Sequence, residues 1–85
     1  MEIIVYSAFR CPECREGKRL LKEHNLPFTD IDIETTPGAA AEVIAHTGKR
    51  AVPQIVIDGE WVQPYQPGEG FLYEEMAKRL GIAAS

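Results

Sequence analysis

The two cysteines of this 85-residue chain lie in one tetrapeptide, Cys11-Pro12-Glu13-Cys14. Thiols at this spacing suit two kinds of chemistry. They can pass electrons as a dithiol and disulfide, or supply two of the four ligands that a zinc or iron–sulfur centre requires. If the tetrapeptide opens a helix, the three-residue spacing brings the two sulfurs close. The unpaired N–H groups and positive dipole end of that terminus then favour the thiolate. Cys11 is expected there, exposed, as the nucleophile. Cys14, one turn further and facing the core, is expected to attack Cys11 once a mixed disulfide has formed. Arg10, Arg15 and Lys18 add positive charge nearby, and Glu13 opposes it.

A closed zinc site within one chain is not expected. There is no second cysteine pair, and His24 and His46 are not at ligand spacing from the first. A dimer pooling four thiolates, or one pair completed by an external thiol, remains as an alternative able to carry an iron–sulfur cluster or a metal.

The flanking sequence supplies the elements that must position the pair. Residues 2–6 (EIIVY) form a β-branched and aromatic run that reads as a buried strand. Pro12 suits the first turn of a helix over residues 12–24, with Cys14, Gly17, Leu20 and Leu21 inward. Residues 28–33 alternate as a second strand, and Thr36 followed by Pro37 predicts the start of a helix reaching Thr47. Val43 and Ile44 are read as its buried residues and Gly48 as its stop. Residues 53–57 form a third strand, Asp58-Gly59 a tight hairpin, and residues 60–62 the returning strand. After a turn-rich segment, residues 63–70, a last helix over 71–80 carries Leu72, Met76 and Leu80 on one stripe. The order is βαβαββα, and a Cys-x-x-Cys between the first strand and helix of a βαβ unit reads as a redox motif.

Composition narrows the partners. Nine Lys+Arg against 13 Asp+Glu, a net charge of −4, argue against nucleic acid, whose phosphates call for clustered cations. Hydrophobic residues at 45% with 26% charged are the balance of a folded chain, here read as one domain over residues 1–85 and as a monomer. No run approaches the ~20 apolar residues of a membrane span, so no membrane partner is expected. The first ten residues lack a basic leader and an apolar core, so cytoplasmic residence is expected, where a lone cysteine pair is not a structural staple.

Together these residues are similar to those of a known family. The chain resembles the glutaredoxins, small members of the thioredoxin fold, over essentially its full length. The matching segments are Ile4-Val5-Tyr6-Ser7, the Cys-Pro-Glu-Cys motif, residues 18–21 and the run from Thr47 through Ala51-Val52-Pro53-Gln54 to Gly59. The resemblance implies an α/β, thioredoxin-like fold with a four-stranded mixed sheet flanked by three helices. It also implies a cis Pro53 beside the cysteines and a Val52 backbone that pairs with glutathione or a peptide substrate. The implied activity is thiol–disulfide exchange on protein disulfides or glutathione mixed disulfides, with no tightly bound cofactor and glutathione as co-substrate.

Three positions depart from the family pattern. Ala8 stands where a lysine usually meets a glutathione carboxylate, leaving Arg10 or Arg50 to supply that charge. Glu13 replaces an aromatic residue, and residues 63–70 replace the Gly-Gly and acidic pair before the last helix. Redoxins that donate electrons to ribonucleotide reductase share this size and fold and are reduced by thioredoxin reductase. Their altered entrance to the last helix, often with a tryptophan nearby, is similar to Trp61 and the segment after it. The electron source is thus glutathione or thioredoxin reductase.

Four of the seven aromatic residues carry a reading of their own. Tyr6 is read as core and Phe9 as a residue lining the groove. Trp61 and Tyr65 suit either a partner surface near the cysteines or, the preferred reading, cover for the sheet edge and the long loop. His24 and His46, near helix ends, read as surface residues, as do Glu2, Asp30 and Asp32 on strands.

Overall fold

Alternation along the strands decides the architecture. In β1 (Ile3–Ser7), Ile3 and Val5 point to one face of the sheet, and Ile4 and Tyr6 to the other. The structure, a computed structural model, describes residues 1–66, 68 and 70–81. β1 pairs in parallel with β2 (Thr29–Asp32) and antiparallel with β3 (Gln54–Ile57), which turns into β4 (Glu60–Val62). The order β2-β1-β3-β4 is the mixed four-stranded sheet that the resemblance implies. The β3–β4 turn is Asp58-Gly59, both at positive φ (49° and 86°), the backbone that a two-residue hairpin demands.

Each face of the sheet has its own core. On one, Ile3, Val5, Ile55, Ile57 and Val62 meet Leu20 and Leu21 of α1 (Pro12–Glu23) and Met76 and Leu80 of α3 (Tyr73–Leu80). On the other, Tyr6, Ile33 and Val56 meet Ala39 and Val43 of α2 (Ala39–Thr47). Both α1 and α3 present an apolar stripe, and Gly17 is buried in the first of them. Tyr73 and Arg19 each hydrogen-bond Glu16 and so pin the start of α3 to α1, drawing the Glu16 carboxyl below its ordinary pKa.

Three expectations are corrected. α2 begins at Ala39, with Gly38 in the left-handed region as its cap, not at Pro37 behind a Thr36 cap. The Thr36 carbonyl instead accepts the Ala39 N–H and closes a turn. Ile44 is 44% exposed, since a nine-residue helix lying on a sheet buries only the narrow stripe of Ala39 and Val43. The turn-rich segment holds a second small sheet, β5 (Tyr65–Gln66) against β6 (Gly70–Phe71), so α3 starts two residues later than predicted. Pro67 and Glu69 of that segment lie outside the described residues. Among the described residues no helix is long and apolar enough to cross a membrane.

Candidate active site

β1 ends at Ser7, and the chain then passes through Ala8, Phe9 and Arg10 to the first turn of α1. Cys11 is the N-cap residue. Its backbone is extended (φ −131°, ψ 95°), Pro12 follows at the first helical position, and its sulfur accepts the Cys14 N–H at 3.1 Å. A sulfur in this place receives a first-turn amide and the positive end of the helix dipole, both of which favour the thiolate over the thiol. Cys11 and Cys14 are joined as a disulfide, with Cα atoms 5.2 Å apart. Cys14 is 1% exposed. Cys11 is 6% exposed, where the sequence predicts an exposed thiol. In the oxidised state it is buried among its neighbours even at the helix terminus.

The loop before Cys11 is held at Ser7 and at Phe9. Ser7 Oγ donates to Asp30 Oδ1 at 2.7 Å, and Lys18 Nζ on α1 reaches Asp30 Oδ2 at 3.0 Å. Asp30, exposed as the sequence predicts, therefore also ties β1, β2 and α1 together. Glu34 Oε1 accepts the Phe9 N–H at 3.2 Å, and the Glu34 N–H is in turn held by Asp32 Oδ1 at 2.8 Å. This tether leaves the Phe9 ring 77% exposed next to the motif.

The antiparallel register Tyr6↔Gln54 brings the end of β1 and the start of β3 to the same end of the sheet. The segment Ala51-Val52-Pro53 thus emerges beside the cysteine loop. The Val52–Pro53 bond is cis and Pro53 is fully buried. Val52 packs its side chain against the α2-side core, while neither its N–H nor its carbonyl is hydrogen-bonded among the described residues. An unpaired amide and carbonyl are what a substrate segment needs in order to pair its own backbone here. Arg10 and Arg50 are both exposed at this end of the molecule.

One feature of the motif's charge is visible only in three dimensions. Glu13 Oε2 lies 3.9 Å from Cys11 Sγ. On the opposite face of β4, away from α1, Trp61 stacks between Tyr6 (centroids 5.0 Å apart) and His46 (4.3 Å). Tyr6 is buried there, and burial, followed by the nearby Glu42 carboxylate, holds its hydroxyl above the ordinary pKa. Trp61 therefore packs on the α2-side core, and His46, a surface residue as the sequence predicts, stacks on its outer side. Tyr65 is half-buried. Among the described residues no group of three or more His, Cys, Asp or Glu side chains could hold a metal ion.

The chain is similar to known proteins in sequence and fold. The Glutaredoxin family model matches residues 3–62. Glutaredoxin 3 of Escherichia coli K12 is 31% identical over 58 residues, which span 68% of this chain and 70% of that one. The glutaredoxin-like protein NrdH of Lactococcus lactis subsp. cremoris is 34% identical over 67 residues, 79% of this chain and 92% of that one. The crystal structure of a mutant of the thioredoxin-like protein BC3987 superposes with a TM-score of 0.81 at 29% identity, covering 96% of this chain and 97% of its own.

Proposed function

The chain belongs to the glutaredoxin family and is a thiol–disulfide oxidoreductase, and from that premise we propose that its dithiol reduces disulfides of other proteins and mixed disulfides with glutathione. The observation that carries this reading is the N-cap position of Cys11, its sulfur bonded to Cys14 and facing the first-turn amide. In the reduced protein, the Cys11 thiolate attacks one sulfur of the substrate, and the other leaves as a thiolate. Cys14 then displaces the substrate from Cys11, leaving the Cys11–Cys14 disulfide and a fully reduced substrate. Val52 offers its free backbone groups to the substrate segment, Pro53 shapes that edge, and Arg10 at the rim meets a substrate carboxylate remote from the reacting sulfur. This chemistry suits a monomer working in a reducing compartment such as the cytoplasm.

A second question is what returns the electrons, and one observation favours thioredoxin reductase over glutathione. Glu13 Oε2 lies 3.9 Å from Cys11 Sγ, so an anionic tripeptide meets a like charge where its sulfur must react. The oxidised protein is therefore expected to turn over with NADPH and thioredoxin reductase, and roughly tenfold more slowly with glutathione and glutathione reductase, a factor worth about 1.4 kcal/mol. Faster turnover with glutathione would assign the tripeptide as the reductant and leave the exchange chemistry in place. Freshly purified protein carrying stoichiometric iron would instead favour the cluster-carrier alternative.

A further inference from the structure

Glu13 lies in the first turn of α1, where any acid helps the helix. Its distance from the reacting sulfur gives it a further consequence. Its carboxylate lies 3.9 Å from Cys11 Sγ and is half-buried, so it borders the approach to that sulfur. With Cys11 in the disulfide, the sulfur has no proton to donate, and among the described residues the carboxylate has no ion-pair partner. The cations that are paired, Lys18, Arg19 and Arg79, serve Asp30, Glu16, Glu23, Glu60 and Glu75 instead.

We propose that Glu13 makes the active site selective for cationic disulfides, those whose reacting sulfur is flanked by lysine, arginine or another amine, and selective against anionic ones. This rests on the exchange mechanism above and specifies its substrate class. A substrate sulfur must come in line with Cys11 Sγ, which brings groups one or two bonds from it within several ångströms of the Glu13 carboxylate. Charges at that range, partly shielded from water, attract or repel far more strongly than the same charges across open solvent. The step itself is ordinary exchange. The new Cys11–substrate bond forms as the substrate disulfide breaks, two electrons leave the dithiol, and the departing thiolates take up the two protons that the dithiol releases to solvent.

Three small disulfides test this on the fully reduced protein: cystamine (dicationic), 2-hydroxyethyl disulfide (neutral) and 3,3′-dithiodipropionate (dianionic). The rate of Cys11–Cys14 disulfide formation is followed by acid quench, alkylation and mass, and each charged probe is divided by the neutral one. Dividing again between the wild type and Glu13→Gln cancels the probes' intrinsic reactivities. The cystamine-to-dithiodipropionate ratio is expected to fall about tenfold in Glu13→Gln, and to shrink in the wild type in 0.5 M NaCl as the charges are screened. A ratio that does not move, including one where all three rates change together, overturns charge selection and leaves Glu13 a helix-terminal acid. A wild-type protein that fails to oxidise with the neutral probe would overturn the exchange mechanism itself, a separable outcome.

Discussion

The Cys11→Ser protein is expected to reduce no disulfide, a loss of roughly 10³-fold or more, the scale on which removing a covalent nucleophile acts. A hydroxyl in this place cannot form the mixed disulfide, and Cys14, 1% exposed, is too enclosed to meet a substrate in its stead. The substitution is mild for the fold, because serine is itself a favoured N-cap and can accept the Cys14 N–H as the sulfur does. Comparison is best made against the reduced wild type, since the Cys11–Cys14 disulfide is absent from both. Single-turnover reduction of a disulfide-bonded peptide, with circular dichroism to show that the helices persist, reads the effect. Activity within tenfold of wild type would show that Cys11 does not attack.

The second large effect is on stability. Leu21 is fully buried and belongs to the core that joins α1 to β1, β3 and α3, with Val5, Ile55, Met76 and Leu80. Leu21→Ala removes apolar surface and leaves a cavity that so small a core cannot easily collapse around, at a cost of about 3 kcal/mol. For a chain of this length that lowers Tm by about 10–20 °C. Ile44→Ala is the matched contrast: 44% of that residue is exposed, and its loss is expected to cost less than about 0.5 kcal/mol. Thermal melts of the two variants, both reduced, decide the matter. Equal losses would mean that Ile44 is buried as its sequence position suggests and that the α2 packing described above is wrong.

Most of what positions the cysteines could be read from local sequence. The β-branched run of β1, the proline at the head of α1, the Asp-Gly turn and the Met76–Leu80 stripe are each specified within a few residues. The Val52-Pro53 pair was legible through resemblance alone, because nothing local marks that proline as cis. What escaped depends on residues distant in sequence. The Tyr6–Trp61–His46 stack brings together a strand, an edge strand and a helix end. Asp30 is exposed, as its strand position suggests, but its bonds to Ser7 and Lys18 and the Glu34 bond to the Phe9 N–H depend on how the crossover folds back. β5 and β6, two residues each, are too short to show any periodicity. Ile44 misled because a helix of apolar and small residues does not reveal which of them the sheet will cover. The burial of Cys11 likewise depends on tertiary packing, which the motif alone cannot specify.

The most direct test of the exchange mechanism is to trap its first intermediate. The Cys14→Ser protein, reduced and then mixed with a disulfide-bonded peptide, is to be digested under acid and mapped by mass spectrometry. One peptide bound through a disulfide to Cys11 on nearly every molecule is the expected result. The parallel Cys11→Ser protein is expected to carry no adduct on Cys14 over the same time. An adduct that forms on Cys14 as fast as on Cys11, or on neither, would contradict the assignment of Cys11 as the attacking thiol.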